Sequence, residues 1–194
     1  MQRFSNFVEE VSDMDLRVKR TKSNIINAFL TLRANKPLEK ITVKELSELA
    51  MVNKATFYLH YKDIYDLSDS LEAELVQSVL DSITHPEYLF SNLPAFVQEL
   101  TDAYFARRTL IQTLFSGNQN NRLPVRIEQG IKDIAYEQKP SLRNNDRFNI
   151  LLSYSIYGSY YAYIQNADCD MRVITELIGN FAEATTKVCG LEQP

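Results

Sequence analysis

The chain has 194 residues, 45% of them hydrophobic and 24% charged, which is enough apolar surface for one or two packed domains. Only five glycines occur, none near enough to another to build a phosphate-cradling loop, so nucleotide-binding folds are disfavoured. The net charge of −4 averages two unequal parts: residues 17–62 hold ten Lys/Arg against three Glu, a net of +7, and the remainder carries −11.

The opening MQRFSNFVEEVSDMD is acidic and has no apolar core of signal-peptide length, so residues 1–16 are expected to be a partly ordered lead-in. Ile25, Ile26, Phe29 and Leu32 form the stripe of a first helix, closed by Asn35-Lys36-Pro37. A second opens at Thr42, with Glu45 placed to complete a capping box and Val43, Leu46, Leu49 and Ala50 facing inward. A tight turn follows, with Met51 and Val52 read as core, and then a third short helix over 54–61. Asp63 caps a fourth, in which Ile64, Leu67, Leu71, Leu75 and Val79 recur and which ends before His85-Pro86. Five more helices are expected, at about 94–107, 109–115, 124–137, 144–165 and 171–189. No segment alternates with period two, so the class is all-α, about nine helices, with a small N-terminal bundle leading into a larger C-terminal one.

Phe148 to Ala167 runs twenty residues without a charge, which is membrane-span length, but it holds Asn149, Ser153, Gln165 and five tyrosines. It is read as a buried helix of a soluble bundle, not as a membrane segment. Cys169 and Cys189 belong to no metal-ligand or disulfide pattern, so no cofactor or metal is expected and a reducing cytoplasm is the simplest location. With only His60 and His85, and no nucleophile motif, there is no catalytic constellation; Asp168 and Asp170 read as a helix cap. An enzyme is not expected.

Three short helices with a tight turn between the second and third, inside the one basic segment, have the form of a helix-turn-helix reader of the DNA major groove. The second helix, with Lys44, would brace on the phosphate backbone, and the third would present Asn53, Lys54, Ala55 and Thr56 to base edges. Lys54 suits guanine O6/N7, Ala55 and the Thr56 methyl suit a thymine methyl, and Asn53 suits adenine or a phosphate. Tyr58, His60, Tyr61 and Lys62 offer phosphate contacts, as does an arm of Arg17, Lys19, Arg20 and Lys22. Tyr61 also falls on the face of Phe57 and is read as core.

The run ITVKELSELAMVNKATFYLHYKDIYDL, Ile41 to Leu67, resembles the helix-turn-helix of the tetracycline-repressor (TetR) family of bacterial transcription regulators. Its most specific part is TFYLHY, Thr56 to Tyr61. The resemblance covers residues 17–70 and implies that Thr42, Tyr58, His60 and the basic residues of the first helix contact phosphates while Lys54 to Thr56 face bases. The family usually has Gly where Met51 stands and Lys where Ile64 stands. The turn is therefore expected to hold Met51 in a left-handed conformation or to shift the unusual conformation to Asn53, and Lys62 to stand in for the missing lysine.

Residues 17–63 are thus assigned to DNA binding and 64–194 to dimerisation and ligand sensing. A homodimer interface is expected from Tyr157, Tyr160, Tyr161, Ile164, Ile174, Leu177, Ile178 and Phe181, some of which must serve the internal core. The family resemblance implies a small-molecule effector pocket; Phe96, Leu100, Tyr104, Phe115, Tyr136, Phe148 and Tyr154 are its candidate lining, with Phe105 and Leu114 beside them, and ordinary core as the alternative. The functional expectation is a repressor that binds a palindromic operator on double-stranded DNA as a dimer and is released by an effector. An activator or a responder to a protein partner on the same fold is the alternative, and a helical protein-interaction adaptor a more distant one.

Overall fold

The computed structural model describes the backbone of residues 2–188 and the side chains of residues 16–187. The fold is all-α: among the described residues there are ten α-helices and three short 3-10 turns, and no strand. The helices are α1 (Gln2–Arg33), α2 (Val43–Leu49), α3 (Lys54–His60), α4 (Ile64–Leu80), α5 (Tyr88–Ser91), α6 (Leu93–Phe105), α7 (Arg108–Leu114), α8 (Arg122–Gln138), α9 (Asp146–Gln165) and α10 (Met171–Val188). The four-residue α5 has no counterpart among the nine expected helices, because it is too short to show a period. The lead-in is also different from expectation, since the backbone of α1 is helical from Gln2 onward. Cys189 lies outside the described residues.

The chain divides into two compact units between Leu71 and Glu72, inside α4 and eight residues beyond the expected boundary after 63. In the first unit, α1 packs on α2 and α2 on α3. Its core is Ile25, Phe29, Leu38, Leu46, Phe57 and Leu67, each at or near zero exposure. The second unit is built on the packing of α6 against α10, α8 against α9, and α9 against α10. Gly179 permits the first of these: a Cβ there would lie 3.0 Å from Pro94 Cα.

The expectation that 148–167 is buried needs correction. In α9 only Phe148 and Leu152 are buried, while Ile150, Tyr154, Tyr161 and Ile164 are exposed. The helix has one face in the core and one outside, and its uncharged outer face is what hid this from the sequence. Among the described residues no helix is long and apolar enough to cross a membrane.

Candidate nucleic-acid interface

The α2–turn–α3 segment is a helix-turn-helix whose geometry follows from local chemistry. Thr42 caps α2 by accepting from the Glu45 N–H at 3.3 Å. Glu45 does not spend its carboxylate on a reciprocal capping box as expected; Lys36 pairs with it and ties the end of α1 to α2. At the other end of α2 the Val52 N–H donates to Ser47 C=O at 3.0 Å and the Met51 N–H to Glu48 C=O at 3.3 Å. These are the two bonds of a Schellman motif, which places Met51 at the position usually held by glycine. Met51 accordingly has φ of 55°, and Asn53 is extended. Of the two conformations open to the turn, the first is the one adopted. Met51 is also 92% exposed, so it is not core: a left-handed residue projects its side chain out of the turn.

Asn53 accepts from the Thr56 N–H at 2.7 Å and from Thr56 Oγ1 at 3.0 Å, so its carbonyl is the cap of α3, leaving its amide N–H groups to face outward. At the far end Asp63 caps α4 by accepting from Asp66 N–H at 2.8 Å, and Asp66 returns a carboxylate to the Lys62 N–H at 2.9 Å. Both termini of the α3 segment are thereby fixed. Between them Phe57 and Tyr61, one turn apart and 5.9 Å between ring centroids, are buried, and Tyr58 packs its ring edge-on to Phe57 at 5.5 Å. Tyr61 is thus core, as its position on the Phe57 face required. Ile64 is buried as well, which is why an apolar residue stands there in place of a lysine.

With 57 and 61 inward, the outward face of the segment consists of Lys54, Ala55, Tyr58, Leu59 and Lys62, all exposed, with Thr56 and His60 half-buried at its edges. Leu59, 83% exposed, was missed in the sequence reading. Its signal is that it lies one-half turn from the Phe57–Tyr61 axis and so has no core to enter. Thr42 and Lys44 are exposed on α2. Arg17, Lys19 and Arg20 are exposed on α1, while Lys22 is half-buried. The assembled surface offers ammonium, guanidinium, phenol and amide donors beside small apolar groups, the mixture that phosphate and base-edge contact requires.

The second unit holds a cavity of about 490 Å³. Phe96, Leu100, Tyr104 and Phe148 line it, and so do Tyr160 and Ile178, which had been placed at a dimer interface. Phe115, like Leu114, is buried core beside α7 rather than wall, and Phe105 packs edge-on to Tyr163 at 5.9 Å. Tyr136 is likewise absent from the wall: it donates to Asn149 Oδ1 at 2.6 Å with its ring against Phe148. Tyr154 is 71% exposed on the outer face of α9, because its position two residues from Leu152 turns it away from the core. Burial pushes the Tyr104 phenol up, against the pull of Arg108, and raises Tyr160 too, so both stay protonated at neutral pH.

Of the expected interface residues, Tyr161, Ile164, Leu177 and Phe181 are exposed, Tyr157 is half-buried, and Ile174 is buried. Ile174 is buried although it lies two turns before Phe181 on nearly the same helical face. The structure adds Ile150 and Val173 to the outer set, extending it with Tyr154 into stripes at 150, 154, 157, 161 and 164 on α9 and at 173, 177 and 181 on α10. That helical repeat is legible once the two inner positions of α9 are known.

No family model matches the chain. Over 75 residues, 37% of this chain, it is 28% identical to an uncharacterized HTH-type transcriptional regulator, YxbF, of Bacillus subtilis (strain 168). The matched stretch spans 20% of that protein's length. Its helix-turn-helix class agrees with the α2–turn–α3 geometry described above.

Proposed function

We propose that this chain is a DNA-binding transcription regulator of TetR type that binds a twofold-symmetric operator as a homodimer, represses, and is released by a small molecule held in the second unit. The observation that carries the reading is the outward face of α3. Lys54, Ala55, Tyr58 and Lys62 stand on a rigid floor of Phe57 and Tyr61, at the only strongly basic part of the sequence. The similarity to an HTH-type transcriptional regulator supports it.

The apolar stripes of the neighbouring helices α9 and α10 support a dimer, since a monomer rarely leaves so much contiguous apolar surface in water. A twofold dimer supplies two recognition helices, the number that a symmetric operator with half-sites about 34–36 Å apart requires. Titration of the full chain against DNA from upstream of its own coding sequence tests the reading. Specific binding that weakens steeply with salt is expected, and equal affinity for random DNA refutes it.

A further inference from the structure

The cavity of the second unit has a hydrogen-bond polarity that can be worked out proton by proton. Thr175 Oγ1 donates to Met171 C=O at 2.8 Å, since a carbonyl only accepts. A hydroxyl has one proton, so in the 2.9 Å contact between Tyr163 Oη and Thr175 Oγ1 the phenol is the donor. The Tyr163 proton is then committed, and in the 2.9 Å contact between Thr101 Oγ1 and Tyr163 Oη it is Thr101 that donates. The relay therefore runs Thr101 to Tyr163 to Thr175 to Met171. Thr101 and Tyr163, both in the cavity wall, are left with oxygen lone pairs and no proton to offer. Tyr160, also in the wall, commits its proton to Asn120 C=O at 2.9 Å and is left in the same condition.

Two of the charged side chains of the wall neutralise each other, and the third stays a cation. Lys187 pairs with Glu183 at 3.0 Å, and the Lys139 ammonium sits 4.3 Å from the centre of the Phe90 ring. The rest of the wall is mainly apolar, with the hydroxyls of Ser155 and Ser159 among its few polar groups.

We propose that this cavity takes a mainly apolar molecule carrying a hydroxyl or N–H donor in preference to the ether of the same shape. Its regulatory use rests on the function proposed above; the binding preference does not. The test is displacement of Nile red from the full-length, DNA-free protein by 4-octylphenol and 4-octylanisole. The phenol should bind at least about tenfold more tightly than the ether, the difference expected from one satisfied buried acceptor. Thr101→Val with Tyr163→Phe should bring the phenol down to the affinity of the ether and leave the ether within about twofold. Thr101→Val alone, which keeps the Tyr163–Thr175 bond, should give part of that loss and serves if the double variant does not fold. Ether binding as tight as the phenol overturns the proposal, and so does failure of both to displace the dye. Tight phenol binding with unchanged operator affinity would refute the regulatory reading and leave the ligand class standing.

Discussion

Met51→Gly tests the turn that positions α3. Met51 has φ of 55° and 92% of its surface exposed, so its side chain contributes almost no packing while its Cβ bears the left-handed strain. That strain costs about 1–2 kcal/mol, and glycine removes it at the expense of about 0.5–1 kcal/mol of extra unfolded-state entropy. The net expectation is a gain of about 0.5–1 kcal/mol, or about 1–4 °C in the melting temperature of a chain this size. Met51→Ala keeps the Cβ and should lie within about 0.3 kcal/mol of the parent; Met51→Val, β-branched, should lose about 1 kcal/mol. Thermal and urea unfolding followed by circular dichroism give the order. Glycine and alanine variants of equal stability would mean that backbone strain is not what distinguishes this position. Operator affinity should stay within about twofold in all three, because the α3 face is unchanged.

Lys54→Ala and Lys62→Ala should each flatten the slope of log affinity against log salt by about one while the melting temperature holds, since both side chains are exposed. Unchanged slopes would remove them from the interface. Phe181→Glu, in the exposed stripe of α10, should convert a dimer to monomer in analytical ultracentrifugation, whereas a chain that is monomeric throughout refutes the proposed assembly. Glu99 has its carboxyl pulled below the usual range by the hydrogen bond from His85, against desolvation, with the His85 and Thr84 N–H groups adding to it. A lowered carboxylate contributes stability that is complete above 4.5 and is lost as pH falls through its lowered value, so acid unfolding should show a loss below pH 4.5 that His85→Ala diminishes.

The first unit was largely legible because its signals are local. Thr42 and Asp63 cap the helices they were expected to cap, and Asn53 caps α3, each through a bond spanning three residues. Phe57 and Tyr61 sit one turn apart, so their burial dictates which neighbours face out. Met51 was misjudged because hydrophobicity argues for burial while a Schellman turn forces projection, and backbone geometry prevails. The second unit was less legible because its site depends on helices far apart in sequence. Thr101 and Tyr163 meet across 62 residues, and neither composition nor period marks that pair. Tyr154 and Phe148 are both aromatics of one uncharged helix, and only the packing of α9 on α8 and α10 tells the outer from the inner.

Helix α8 joins the cavity of the second unit to the stretch of α4 that belongs to the same unit. Arg122, Arg126 and Gly130 recur every four residues and face α4. Glu72, fully buried, pairs with both guanidinium groups, its Oε2 lying 3.1 Å from Arg122 Nε and 3.5 Å from Arg126 Nε, and a Cβ on Gly130 would lie 2.1 Å from Leu80 Cδ1. One position on, Leu123, Ile127 and Ile131 line the cavity. Arg107 holds the same stretch of chain by donating to Ser78 Oγ at 2.9 Å and Ser82 Oγ at 2.8 Å. On the proposed function, a guest that displaces α8 acts on α4 through Glu72, and α4 is the helix that continues into the first unit. Glu72→Gln removes the charge and leaves two guanidinium groups facing a neutral amide. Breaking a buried pair costs about 3–5 kcal/mol, and the partial exposure of both arginines places this one near 3. Urea unfolding should register that loss. At temperatures where the variant remains folded, its operator affinity should no longer respond to cavity ligand. A variant that loses less than about 1 kcal/mol and still responds would show that Glu72 neither clamps α4 to α8 nor transmits between them.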